Sequence, residues 1–280
     1  MAGPIVVGVD GSKSSNGAIE WAAADAQHRR LPLKIVHVCE QWPEGFDSRK
    51  YCLGTLEAAA DSARAVSGEV EVTTEVLDGN VVEALIGQSA SADSLVLGSR
   101  GLGGFAGLML GSVGLAVAGH AAGPVIIVRA SAVAEYGQIV VGDDGSAAAQ
   151  EAVAYAIEQA RARRARLLAI YAWQWPIVSA YAPDYGNLLE DSFQEEARTA
   201  QERVVRWRKD HPDVEITDQQ VREHPVPALI KASATADLVV VGSRGLGGFV
   251  SAVLGSVSHG VLHRAACPVA VVRPPAGEAS

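Results

Sequence analysis

Short runs of Val, Ile and Leu recur along the chain, separated by longer stretches with helical patterning. In the first half the runs are PIVVGVD, LKIVHVCE, EVTTEVLDG, SLVLGSR and PVIIVR. Between them lie SSNGAIEWAAADAQHRR, TLEAAADSARAVSG, VVEALIGQSAS and the stretch after Gly111, each predicting a helix. Continuously apolar strands that alternate with helices imply a parallel sheet covered on both faces. The second half repeats the series. IVVGVDGS (Ile5–Ser12) returns as IVVGDDGS (Ile139–Ser146), offset by 134, and Gly98–Arg129 returns as Gly242–Arg273, offset by 144. The ten extra residues of the second half fall around Trp175–Ser192. The pattern therefore predicts an α/β protein of two tandem, doubly wound, five-stranded domains, residues 1–130 and 137–275. They are joined by the linker ASAVAEYGQ (Ala130–Gln138) and followed by a frayed tail, PPAGEAS. A Rossmann-like order 3-2-1-4-5 places the loops after the first and fourth strands side by side, where the winding reverses and ligands bind.

Composition narrows the partners. A formal net charge of -9 disfavours nucleic acid or an anionic membrane surface as the main partner. No apolar run reaches the roughly 18 residues of a membrane span, and no basic segment precedes a long apolar one at the N-terminus. Cys39, Cys52 and Cys267 show no close pairing in sequence, which fits a reducing compartment. These features lead to the expectation of a soluble cytoplasmic protein. Any anion must then be held locally, by backbone dipoles and a few placed basic residues.

The octapeptide GSRGLGGF supplies such a place twice. Gly98-Ser99-Arg100-Gly101 is followed, after nine residues, by Gly111-Ser112; Gly242-Ser243-Arg244-Gly245 is followed at the same spacing by Gly255-Ser256. Glycines behind a strand permit positive φ and let backbone N–H groups close on an anion. A helix opening at Gly111 or Gly255 would add its N-terminal dipole, with Ser112 and Ser256 capping it or meeting a phosphate or its metal ion. Arg100 and Arg244 add charge. No Lys-Ser/Thr pair follows, so this is not a Walker loop. GLGGFA fits a dinucleotide fingerprint, but its repeat GLGGFV does not, and both follow a fourth strand rather than a first.

With VVGVDGS on the first strand, the G-x-x-G-x9-G-[ST] loop resembles that of the universal stress proteins, in the tandem form found in actinobacteria. The resemblance covers nearly the whole chain and implies two ATP sites, with Mg²⁺ or Mn²⁺ accompanying the nucleotide. In the first half it implies that Gly98, Ser99, Arg100, Gly101, Gly111, Ser112 and Val113 surround the ribose and triphosphate, with Gly103 and Gly104 lining the loop. Gly8 and Asp10 would lie near the adenine and ribose, and the backbone of Val38 would read the adenine edge. The second-half equivalents are Gly142, Asp144, Ala172, Gly242, Ser243, Arg244, Gly245, Gly247, Gly248, Gly255, Ser256 and Val257. Asp143 stands where the first half has Val9, adding a carboxylate beside Asp144.

Other features carry plainer readings. DGS is also a common strand-to-helix turn. His259 and His263 share one helix face without the HExxH context of a metal site. Trp42, Trp173, Trp175, Tyr181 and Tyr185 cluster after the second strands, as packing residues or as a lid. LLEDSFQEEARTAQERVVRWRKDH reads as a helix with a solvated charged face. The apolar last strands, PVIIVR and PVAVVR, are expected to pair with each other within one chain, with a homodimer as a further option. No catalytic triad or paired carboxylates stand out. The expected function is an adenine-nucleotide sensor with slow hydrolysis at most; a true ATPase or nucleotidyl-transfer enzyme, and a scaffold that binds no nucleotide, are the alternatives.

Overall fold

Each run becomes a strand. The inner strands bury their side chains on both faces, whereas the outermost strand of each half, from EVTTEVLDG and its counterpart, is mostly half-buried or exposed. The computed structural model describes residues 3–39, 48–102, 110–129, 135–173, 186–246 and 254–274. The first half comprises β1 (Ile5–Gly8), α1 (Lys13–Arg29), β2 (Leu33–Cys39), α2 (Ser48–Val66), β3 (Val72–Asp78), α3 (Val81–Ser89), β4 (Ser94–Gly98), α4 (Ser112–His120) and β5 (Val125–Val128). The second comprises β6 (Gln138–Gly142), α5 (Ala147–Arg163), β7 (Arg166–Ala172), α6 (Gly186–Asp210), β8 (Ile216–Val221), α7 (Pro225–Ser233), β9 (Leu238–Gly242), α8 (Ser256–Arg264) and β10 (Val269–Val272).

The strands form one ten-stranded sheet in the order β3-β2-β1-β4-β5-β10-β9-β6-β7-β8. Each half thus has the 3-2-1-4-5 order, with all its pairs parallel. The halves join where β5 meets β10 antiparallel, with Ile126 opposite Ala270. That pairing satisfies two apolar edges at once. Side chains on alternate strand positions feed two core layers, one including Ile5, Val7, Ile35 and Ile139 with α1, α2 and α5, the other Val6, Leu95, Ile127 and Val241 with α3, α4, α7 and α8.

The first helix of each half starts and stops by the same chemistry. Ser12 caps α1 by accepting from the Ser15 N–H at 3.2 Å, and Ser146 caps α5 by accepting from Ala149 at the same distance. Both helices end on an arginine in the left-handed region, Arg30 (φ 53°) and Arg164 (φ 52°). Two of the sequence expectations need correction. Helix α2 begins at Ser48 rather than Thr55, because burial of Cys52 beneath its first turns outweighs the low helix propensity of Gly54. The cysteines are also not all unpaired, because Cys39 and Cys52 form a disulfide with their Cα atoms 6.1 Å apart. The disulfide sets the start of α2 beside the end of β2, a contact that sequence spacing does not reveal. Cysteine usage therefore does not argue for a compartment. Cys267 is a buried free thiol, pushed up to about 12 by burial. Among the described residues, no helix is long and apolar enough to cross a membrane.

Candidate functional site

The ends of β1 and β4 are neighbours in the sheet, so the DGS turn and the glycine-rich loop meet. Gly11, at φ 81°, lets the chain turn from β1 into α1. Asp10 then spans the two loops. Its Oδ1 accepts from the Ser12 N–H at 2.9 Å and its Oδ2 from the Leu102 N–H at 2.8 Å, 92 residues along the chain. Gly101 stands against that carboxylate, and a Cβ there would lie 2.6 Å from Asp10 Oδ2. At Gly98 a Cβ would lie 2.7 Å from the backbone carbonyl carbon of Ser14. These two glycines are required for close approach, and neither has positive φ, unlike the expectation from the loop's composition. Further ties fix the loop: Arg100 N–H donates to Ser14 Oγ (3.3 Å), and Ser12 Oγ donates to the Arg100 carbonyl (3.3 Å).

Helix α4 begins behind this loop. Its N-cap is Gly111, whose N–H donates to the Ser99 carbonyl at 2.8 Å, and no side chain caps the helix. Of the two roles expected for Ser112, capping α4 is therefore not taken, and the same holds for Ser256 on α8, where Gly255 is the N-cap. In both helices the serine already has helical backbone angles. The first-turn N–H groups thus keep their dipole for an incoming anion.

A cavity of about 650 Å³ opens between these elements. It brings together Gly8, Asp10, Val38, Gly98, Ser99, Arg100, Gly101, Gly111, Ser112 and Val113, ten residues singled out from the sequence. Gly103 and Gly104 lie outside the described residues. Sequence reasoning missed the apolar floor, which includes Val81, Leu85 and Leu97, and the aromatic wall of His37 and Tyr51. The i, i+4 spacing of Val81 and Leu85 on α3 was the available signal. His37 Nδ1 donates to the Val9 carbonyl at 2.7 Å, and its ring meets Tyr51 edge-on at 6.4 Å. The size lies within the range of small-molecule sites, and the apolar lining with a few convergent polar groups is their usual character.

The second half repeats the skeleton. Asp144 Oδ1 accepts from the Ser146 N–H (3.0 Å) and Oδ2 from the Leu246 N–H (3.1 Å). A Cβ on Gly245 would collide with that carboxylate, and one on Gly242 would lie 2.8 Å from the Ala148 carbonyl carbon. Gly255 N–H donates to the Ser243 carbonyl at 2.8 Å. Gly142 ends β6, Ala172 ends β7 at the place of Val38, and Arg244, Ser256 and Val257 keep their counterparts' positions. Gly247 and Gly248 lie outside the described residues, as do Trp42, Trp175, Tyr181 and Tyr185; Trp173 packs on Phe193 at 5.2 Å.

The halves differ beneath the site. Asp143 is no loose carboxylate beside Asp144, as the sequence suggested. It is buried, takes two hydrogen bonds from Arg203 of α6 (2.9 and 2.6 Å), and accepts a third from Gly145 N–H (3.0 Å). Arg203 in turn is nearly buried, on a helix whose charged positions were expected to face solvent. Tyr171, at the position of His37, donates to Glu196, and burial together with that carboxylate raises the Tyr171 pKa. Ala148 replaces Ser14, so the second loop lacks that hydroxyl tie.

Two more arginines sit close to the loops. Arg129, at the end of β5, donates to the carbonyls of His263 and Ala265 (3.0 Å to the latter), where α8 of the other half ends. Burial and then the like charge of Arg100 lower its pKa; Arg273 is lowered in the same way by burial and Arg244. Each loop arginine thus has a second guanidinium nearby. The His259 and His263 rings lie 4.5 Å apart, tilted by 43°, but among the described residues no group of three or more His, Cys, Asp or Glu could hold a metal ion.

Comparison with known proteins agrees with this duplicated architecture. The model of the universal stress protein family matches residues 1–129 and again 135–273. The chain belongs to that family. Universal stress protein Rv1996 of Mycobacterium tuberculosis is 35% identical over 97% of this chain and 95% of its own length. Universal stress protein Rv2005c of the same organism is 33% identical over 96% of each. Among solved structures, a universal stress protein from Archaeoglobus fulgidus DSM 4304 superposes with a TM-score of 0.73 at 22% identity, covering 96% of this chain and 98% of its own. That likeness supports the doubly wound, two-domain fold.

Proposed function

We propose that this universal stress protein binds ATP at the switch point of each half and acts as a regulatory nucleotide sensor in the cytoplasm, with little or slow hydrolysis. The observation that carries the reading is the first-half cavity. An uncapped helix N-terminus, two glycines that tolerate no Cβ, and Arg100 converge at one end, and the apolar Val38, Val81 and Leu85 line the same space. Anionic phosphates suit the first set and a flat base the second. Ser112 would stand beside the phosphates, where its hydroxyl can meet a triphosphate or its Mg²⁺ or Mn²⁺. The divalent ion would neutralise phosphate charge. Asp10 holds the loop in shape through two N–H groups rather than acting as a base.

Mass spectrometry of denatured, freshly purified protein should find adenine nucleotide, and calorimetry should find ATP binding. Absence of both would remove the reading. The enzyme reading has one observation in its favour, because the Nδ1–H···O bond of His37 leaves Nε2 as the basic nitrogen of a ring that lines the cavity. Fast metal-dependent turnover abolished by His37→Asn would favour it. The second half, with Tyr171 in that position, would not share the activity.

A further inference from the structure

The disulfide lies next to the wall of the candidate pocket, each of its cysteines adjoining a lining residue. Cys39 ends β2 directly after His37 and Val38, both of which line the first cavity; Cys52 follows Tyr51, which lines it from α2. The cross-link therefore joins the two elements that carry this side of the pocket, and the His37–Tyr51 ring contact bridges the same gap. In the second half the matching positions are Trp173 and Glu196, so no thiol pair exists there. Cys52 is fully buried and Cys39 half-buried, which makes Cys39 the sulfur that small molecules reach first. Cys267 does not compete, since burial holds its thiol protonated.

We propose that Cys39 and Cys52 form a redox modification site that takes low-molecular-weight disulfides as its substrate class and tunes nucleotide affinity in the first half alone. In the oxidising direction, the Cys39 thiolate attacks one sulfur of the small disulfide and expels a thiolate, leaving a mixed disulfide. The Cys52 thiolate then attacks Cys39 Sγ and expels the second small thiolate. Two protein thiols are oxidised, one small disulfide is reduced to two thiols, and the two protons pass to the leaving groups. The bond fixes the start of α2 against the end of β2. Without it, a bound nucleotide must itself order that wall, which costs affinity.

The inference rests on the adenine reading, and the test separates the two. ATP binding is measured by calorimetry on Gly245→Ala, in which the first half is the competent one, and on Gly101→Ala, in which the second is. Each protein is equilibrated in glutathione buffers poised oxidising or reducing, and thiols are counted after denaturation. The count should move reversibly between one and three of the chain's three cysteines. Reduction should weaken first-half binding by roughly fivefold or more and leave the second half unchanged. The Cys39→Ala/Cys52→Ala double variant, in the Gly245→Ala background, should bind as the reduced protein does under both conditions. A thiol count fixed at three, equal first-half affinity in both buffers, or an equal change in both halves would overturn the proposal. Binding by neither half in either buffer would overturn the adenine reading and this coupling together, and the thiol count would still show whether the pair exchanges.

Discussion

Gly101 and Gly245 each face an aspartate carboxylate that gathers N–H donors from two loops. A methyl group at either position must displace that carboxylate, and a hydrogen bond to a charged acceptor contributes about 1.5–3 kcal/mol. Gly101→Ala should therefore weaken ATP binding in the first half by about ten- to a hundredfold, and Gly245→Ala should do the same in the second, with folding retained by circular dichroism. The Asp143–Arg203 pair permits a sharper test. Arg203→Ala leaves a buried carboxylate without its partner and should lower unfolding free energy by about 3–5 kcal/mol in urea titration. Asp143→Val with Arg203→Ala rebuilds the first half's Val9 and Ala59, and should recover most of that loss, because a packed apolar pair replaces a buried ionic one. The glycines and aspartates were legible in sequence because the duplication repeats them at fixed spacing. Arg203 was not, since helical periodicity sends an arginine to solvent; only the joint change of Val9 to Asp143 and Ala59 to Arg203 between the halves marked it. The close-approach role of Gly101 was hidden for a similar reason, as its partner is far away in the chain.

At the scale of elements, strands and helices followed from apolar patterning, whereas their ends depended on tertiary contacts. The start of α2 is set by what Cys52 packs against, and the caps of α4 and α8 fall one residue before the serines that composition favoured. Helix α8 also carries a pH dependence. Burial first, then the positive charges of His259, Arg129 and Arg264, depress the His263 pKa below its ordinary 6.5. The unfolded chain then takes up this proton at a higher pH than the folded one does. The stabilisation is complete above about pH 6.5 and is lost as pH falls through that value towards the depressed one. His263→Gln should accordingly flatten the decline in Tm between about pH 7 and 5, measured by calorimetry.

Across the whole molecule, the 3-2-1-4-5 order taken from the doubly wound fold and the pairing expected of the apolar last strands are both observed, but the helix contact that flanks that seam was not readable. There Arg163 of α5 donates to the buried Asp25 of α1 at 2.6 Å and lies over the Trp21 ring at 5.1 Å, while Arg29 pairs with Asp93 and approaches Tyr155 at 5.7 Å. Asp25 is the one polar residue of the alanine run 22–26, and its partner belongs to the other half. Asp25→Ala should cost about 3 kcal/mol and separate the unfolding of the two halves into resolvable transitions by calorimetry. The seam also joins the first-half cavity and the second half's matching loops through one ten-stranded sheet. The most direct test of the central claim is calorimetric titration of nucleotide-stripped protein with ATP. The account predicts two sites per chain, one removed by Gly101→Ala and the other by Gly245→Ala; no binding, or binding untouched by either substitution, would contradict it.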